Sequence, residues 1–370
     1  MKKRILYIVP HRMNRSPGQR FRCEHFIPHL QANGYEIDYA NLLTAWDDRN
    51  FYKRRNYLLK LFIVIKSYLR RSRHVARVKQ YNAVFIYREA FMLGRTRFER
   101  KIKQKGVPII FDFDDAIWLN DVSDANKELK WLKRPEKTGE ICAFSTLVIA
   151  GNQYLANYAK QFNDNVEIIP TTIDTSYHQP QEKKSEQNYV RIGWTGSSTT
   201  LKHFRLLIPV LEKLQKAYNG QLRIRVIADA GIDDERIEVE NVPWSAHDEV
   251  ARLNEIDIGV MPLPDDEWSR GKCGFKGLQY MSVGIPAVMS PVGVNTEIIE
   301  HGVNGYLAAN DQEWEQTLKQ LIDNAVLRKE IGAAGRATIK NRYSIDANKE
   351  KYLRLFDAIV VTGKATAGID

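Results

Sequence analysis

A chain of 370 residues is too long for one ordinary hydrophobic core and suits two domains. With 44% apolar and 27% charged residues it has a globular composition, which excludes the disordered, collagen-like and membrane-spanning classes. The net charge of +10 is unevenly held: residues 1–180 carry 31 Lys and Arg against 18 Asp and Glu, and the remainder 24 against 27, so one half faces something anionic.

The opening RILYIVP is preceded by basic residues, but its apolar run is shorter than the core of a signal peptide, so it reads as a first β-strand. A Gly/Pro/Ser loop follows, and the apolar spacing of FRCEHFIPHLQANGYEID predicts a helix ending at Gly34. NAVFIYR, VPIIFDFDD and STLVIAGN are short runs rich in β-branched residues with helical stretches between them, the pattern of a parallel sheet. The polar stretch 174–188 has the composition of a linker. A second strand series follows in YVRIGWTGSS, LRIRVIA, VEN with VPWS, IDIGVMPL and IPAVMS, with helices around 201–217, 246–255, 274–282 and 311–341. One more amphipathic helix begins near Ala347, and the last residues should fray. The expected organisation is therefore α/β, with two Rossmann-like domains at 1–173 and 189–345, a linker at 174–188, a helix at 346–362 packing back on the first domain, and a flexible tail at 363–370.

Cys23, Cys142 and Cys273 form no CxxC pair and no zinc-like spacing, which suits a reducing, cytoplasmic setting. The longest apolar candidate, LLKLFIVIK, is broken by lysine and too short to span a bilayer. Residues 51–79 hold ten Lys and Arg and no acid, interleaved with Tyr57, Leu58, Leu59, Leu61, Phe62, Ile63, Val64 and Ile65. That mixture suits peripheral attachment to an anionic membrane, and equally a core-facing helix with a basic outer face. No GxGxxG fingerprint opens a helix, and no P-loop or internal repeat is present, which argues against a dinucleotide oxidoreductase or a P-loop NTPase.

The densest signal runs from Ile258 to Ala308, where a strand ends in a Pro/Asp loop leading through Gly271 and Gly274 into a helix. Strand carboxyl ends and helix N-termini make phosphate sites in open α/β sheets. Lys272 and Lys276, four residues apart at this helix start, suit a diphosphate, and the plain alternative is a solvated surface pair. This stretch resembles the sugar-donor segment of family 4 glycosyltransferases: MSVGIPAV matches the family's Met-Ala-x-Gly-x-Pro-Val-Val tail, and EIIEHGVNGYLA its Gly-x-Asn-Gly ending.

The resemblance implies a two-domain GT-B glycosyltransferase whose domains face each other across a cleft, the first binding acceptor and the second a nucleotide sugar. It implies anomeric retention and no metal or other cofactor. The chain departs from the family at both usual glutamates, where Gly271 and Gln279 stand. Gln279, with Gly274 and Phe275, falls on the donor nucleoside and sugar, and Gln279 can still hydrogen-bond a ribose. In IGWTGSSTTLKHF, the implied diphosphate contacts are Gly196, Ser197, Ser198 and Lys202, with the serines replacing an absent arginine. Trp244 falls where relatives hold the base, and a core tryptophan is the competing reading.

FDFDDAIWL places Asp112, Asp114 and Asp115 at a strand's carboxyl end, where three acids require water, metal or substrate. By resemblance, Asp114 or Asp115 occupies the region where relatives have a histidine facing the donor sugar, making these two the catalytic candidates. Asp112 and Asp114 share the Asp-x-Asp spacing of metal-dependent transferases, but GT-B enzymes ordinarily use no metal. Gly18, Gln19, Arg20 and Arg22 lie in the loop expected to meet the acceptor, and arginine there suits a glycan or lipid-linked acceptor bearing phosphate. Two rivals remain open: a nucleotide-sugar binder without catalysis, motivated by the missing glutamates, and a basic nucleic-acid-binding protein, for which no recognised module is visible.

Overall fold

The computed structural model describes residues 3–53, 56–119, 134, 136–182 and 188–366, the last five of these as backbone only. Contacts divide the chain into two units, residues 1–171 with 348–370, and residues 172–347. Each is built on a parallel six-stranded sheet with helices between most successive strands, the strands Leu222–Ala228 and Val239–Pro243 being joined by a loop.

The first sheet contains β1 (Lys3–Val9), β2 (Tyr35–Asn41), β3 (Ala83–Tyr87), β4 (Ile109–Phe113), β5 (Leu147–Ala150) and β6 (Val166–Ile168), in the order β2-β1-β3-β4-β5-β6. β3, β4 and β5 are buried along their whole length, as strands covered on both faces must be, which is why they read as unbroken apolar runs. β2 is an edge strand carrying Glu36 and Asp38, so its apolar pattern was too diluted to mark it. The helix expected before Gly34 is two helices, Pro17–Arg22 and Ile27–Ala32, joined by a turn at Glu24–Phe26. Pro28 in the first turn of the second helix supplies no N–H to continue the first.

Arg71, fully buried on the helix Tyr57–Ala76, donates to the carbonyls of Val9, Ala40 and Ala90 at 3.0, 2.9 and 2.7 Å. One guanidinium thus satisfies three buried acceptors where β1, β2 and the segment after β3 end. The final helix, Ile345–Thr366, adds Tyr352 and Phe356 to this unit's core: Tyr352 stacks 4.1 Å from Phe26, and Asp357 accepts from Tyr35 Oη at 2.7 Å. It runs past the expected end near residue 362, and residues 367–370 of the expected tail lie outside the described residues.

The second sheet contains β7 (Val190–Thr195), β8 (Leu222–Ala228), β9 (Val239–Pro243), β10 (Ile258–Met261), β11 (Ala287–Met289) and β12 (Tyr306–Leu307), in the order β12-β11-β10-β7-β8-β9. Its core gathers Trp194, Phe204, Leu211, Leu214, Trp314 and Leu318. The single helix expected over 311–341 is broken at Asn324, whose side chain caps a new helix by accepting from Leu327 N.

Residues 174–182 of the expected linker are bound into the second unit. Asp174 closes a turn by accepting from Ser176 N, His178 is fully buried, Arg336 donates to His178 O at 2.8 Å, and Asn254 Nδ2 donates to Gln179 O at 3.0 Å. Polar side chains here build turns and caps, so composition alone mimicked a free linker. Strand order reverses direction between β1 and β3 in one sheet and between β7 and β10 in the other, and crevices open at the carboxyl ends of such strands.

Candidate functional site

At the β7/β10 switch point, the helix Phe275–Ser282 is fixed by Tyr280. Thr195 N–H donates to Tyr280 Oη at 2.9 Å, and that hydroxyl reaches Val260 O at 3.3 Å, so one side chain ties the helix to the ends of both strands. The helix begins at Gly274, whose φ of +66° favours glycine and whose missing side chain leaves room for Ile298. Lys276, one turn before Tyr280, holds Nζ 5.4 Å from the Trp194 ring centroid. The Trp194 ring lies across Gly196, where a Cβ would come within 2.3 Å of it.

The three expected phosphate-binding cations, Lys202, Lys272 and Lys276, all act electrostatically on one group absent from the sequence reading, His203. Its side chain is buried, at 4% exposure. Burial first, then the positive fields of Lys272, Lys276 and Lys202, push its pKa down to about 4 against the opposing charge of Asp266. Lys202 on the short helix Leu201–Phe204 after β7 and the two lysines after β10 share a locality because β7 and β10 are neighbours, an adjacency that spacing along the chain does not reveal. This cation cluster beside a helix N-terminus can hold a diphosphate.

The remaining expected contacts divide. Ser197 caps the turn over Ser198–Thr200. Ser198 gives its N–H and hydroxyl to Asp229 at 2.5 and 3.1 Å, so phosphate would have to displace a carboxylate to use them, which corrects the expectation for this residue. Gln279 is buried on the same helix as Lys276 and half-buried Phe275. Trp244 is half-buried at the end of edge strand β9, its N–H donating to Ala228 O, with β8 between it and β7.

In the first unit, the acids at the end of β4 are met by arginines rather than left for water or metal. Arg22 and Asp112, both fully buried, form a bidentate pair at 3.1 and 2.7 Å, and Arg22 also donates to Ile169 O. Burial raises the Asp112 pKa to about 6 despite Arg22. Arg88, directly after β3, bonds Asp114 at 2.9 Å and also pairs with Asp115, while Tyr87 Oη donates to Asp114 at 2.9 Å. Burial pulls the Asp114 pKa up, but Arg88 and then Arg22 outweigh it and hold this carboxyl below its ordinary value. Arg88 has φ +63°, a left-handed conformation costing a non-glycine residue roughly 1–3 kcal/mol, and its pairs with Asp114 and Asp115 stabilise it there.

Gly18 lies beside this group, since a Cβ there would be 2.9 Å from Tyr87 Oη and 3.4 Å from Asp114 Oδ2. Arg20 stands half-buried with its guanidinium 4.6 Å from the Phe21 ring centroid. Two members of the expected acceptor set are corrected. Gln19 is fully buried, accepting from His11 N and donating to His11 O and Glu24, so it fastens the loop after β1. Arg22 is spent on Asp112. Sequence reasoning missed Arg88 and Tyr87, whose only signal was their place at a strand's carboxyl end.

Residues 189–324 match the family model described as Glycosyl transferases group 1. Along nearly its whole length the chain is similar to a glycosyltransferase from Rickettsia africae, at 13% identity and a TM-score of 0.67, covering 97% of this chain and 99% of that one. It is similar to Anabaena HepE in complex with UDP, at 14% identity and a TM-score of 0.63, covering 97% and 100%. Sucrose-phosphate synthase from Thermosynechococcus elongatus matches at 12% identity and a TM-score of 0.69, covering 98% and 100%. The chain therefore has the GT-B fold of glycosyltransferases, and residues 189–324 of its second unit match the glycosyl transferases group 1 model.

Proposed function

We propose that the protein transfers a sugar from a uridine diphosphate sugar to a glycan or lipid-linked acceptor, with anomeric retention and without metal, in cell-surface polysaccharide or lipopolysaccharide synthesis. The observation that carries this reading is the helix start at Gly274, tied to β7 and β10 through Tyr280 and carrying Lys276, with Lys202 and Lys272 adding their positive field, at the switch point of the sheet that holds the group 1 match. A diphosphate is the ligand whose charge such a cluster offsets. Uridine is the chosen base because Anabaena HepE has been solved with UDP and with UDP-glucose. On the acceptor side we assign Gly18, Arg20, Arg88, Asp114 and Asp115. A carboxylate held below its ordinary pKa is a weak base, so Asp114 serves to orient a hydroxyl or to face developing positive charge rather than to abstract a proton.

The helix Tyr57–Ala76 supports peripheral docking of this cytoplasmic enzyme on an anionic inner membrane face. Among the described residues no helix is long and apolar enough to cross a membrane. Yet Leu58, Leu61, Phe62, Ile65 and Leu69 fall on one helical face and are each more than half exposed, with Leu58 at 86%, while Ile63, Ser67, Arg71 and Val75 face the core. Not all the basic residues point outward: Lys66 and Arg70 pair with Asp47, and Arg71 is buried. Lys53, Arg73 and Arg77 remain exposed for lipid phosphate.

The test is UDP release from UDP-glucose, with glycan acceptors in solution and lipid-linked acceptors in anionic vesicles, in EDTA, with the product anomer read by NMR. Transfer with a retained anomer is expected. Combining Leu58→Ser, Phe62→Ser and Ile65→Ser should cut vesicle-bound turnover more than tenfold while sparing UDP-glucose affinity, because each lost apolar side chain removes roughly 1.5–3 kcal/mol of burial. Equal turnover on vesicles would remove the docking claim. UDP-glucose bound but never consumed would favour the binding protein without catalysis, which the replacement of both usual glutamates already suggests.

A further inference from the structure

We propose that His203 is itself part of the sugar-donor site, becoming a fourth cation there by taking up a proton when a nucleotide-sugar diphosphate binds; this rests on the donor assignment above. The imidazole is 4% exposed, and its Nδ1 has no hydrogen-bond partner among the described residues, so this nitrogen has hydrogen-bonding capacity left for a ligand. The charged groups acting on it come from two stretches of chain: Lys202 adjoins it in sequence, Lys272 comes from the segment between the helices Glu267–Arg270 and Phe275–Ser282, and Lys276 from the second of these helices. The acid that opposes them, Asp266, is engaged by the backbone, since its carboxylate caps the helix Glu267–Arg270 by accepting from Ser269 N at 2.7 Å. With the site empty, the field is positive and the group is buried, so the ring stays neutral.

A bound diphosphate reverses both conditions. Its negative charge offsets the lysines, and a second nearby anion favours the protonated ring. No covalent step is involved: one solvent proton adds to a ring nitrogen, and the charge that balances it is on the ligand. Linkage fixes the sign. A histidine held at about 4 in the free protein and restored to its ordinary 6.5 in the complex binds a proton on complex formation between those values, so affinity rises as pH falls. Full restoration would give uptake of about 0.9 proton at pH 5.5, and affinity about 30-fold higher at pH 5 than at pH 7.5.

The experiment is isothermal titration of the full chain with UDP-glucose, whose diphosphate diester does not titrate in this window, in buffers of different ionisation enthalpy from pH 5 to 7.5. Proton uptake is expected in the native protein, and its loss in His203→Gln and His203→Asn variants that keep native melting behaviour and bind UDP-glucose at pH 7.5. Binding with no uptake, or uptake that survives both substitutions, overturns the inference and leaves the donor assignment standing. Failure of UDP-glucose to bind at any pH overturns both.

Discussion

Arg22→Met should destabilise the first unit by about 3–5 kcal/mol, measured by urea unfolding at neutral pH, because it leaves a fully buried Asp112 without its guanidinium. The loss should grow between pH 5 and pH 8. Asp112 already sits at about 6 with its partner present, and a carboxyl whose folded pKa lies above its unfolded one costs more stability as pH rises. Adding Asp112→Leu to the Arg22→Met background should recover most of the loss, since removing both charges removes the penalty. A change below about 1 kcal/mol for Arg22→Met would show that the pair contributes little to folding and would reopen Arg22 as an acceptor contact.

Lys276→Ala should weaken UDP-glucose binding roughly 10- to 150-fold, the effect of deleting a charged hydrogen-bonding partner worth about 1.5–3 kcal/mol in a sheltered site. Its stability cost should be small, because Tyr280 and not Lys276 fixes the helix to β7 and β10. Calorimetry separates the two, and unchanged affinity would contradict the placement of the diphosphate at this helix.

Strands buried on both faces were legible because burial demands continuous apolar runs, as in AVFIY for β3 and IIFDF for β4. β2 and β6 were harder to read because edge strands mix polar residues into their pattern, and β12 because two residues carry no period. The proposed phosphate site was legible in part. Lys272 and Lys276 share one stretch of chain with the glycines of a helix start and the MSVGIPAV motif, so the sequence could name them as candidates. His203 was not, because its relation to those lysines depends on β7 and β10 lying side by side, a fact of sheet order.

The acids after β4 show the opposite error. Three clustered carboxylates signalled an unmet charge, and the arginines that meet it come from the helix after β1 and the end of β3, distant in sequence and adjacent only through the β1-β3-β4 order. Buried charge is paired far more often than it is left open, and pairing across a parallel sheet is the step that a linear reading omits. The linker reading failed on similar grounds: His178 and Gln179 look solvated in composition and are bound by Arg336 and Asn254 from much later in the chain.

The central claim, that the second unit holds a nucleotide sugar by its diphosphate, is tested most directly by thermal unfolding of the full chain with UDP, GDP and ADP, each with and without EDTA. A ligand that binds only the folded state at 100 times its Kd adds about 2.7 kcal/mol of stability and raises the melting temperature by several degrees. UDP should give the largest rise, EDTA should not diminish it, and Lys276→Ala should abolish most of it. The absence of any shift with all three nucleotides would contradict the account.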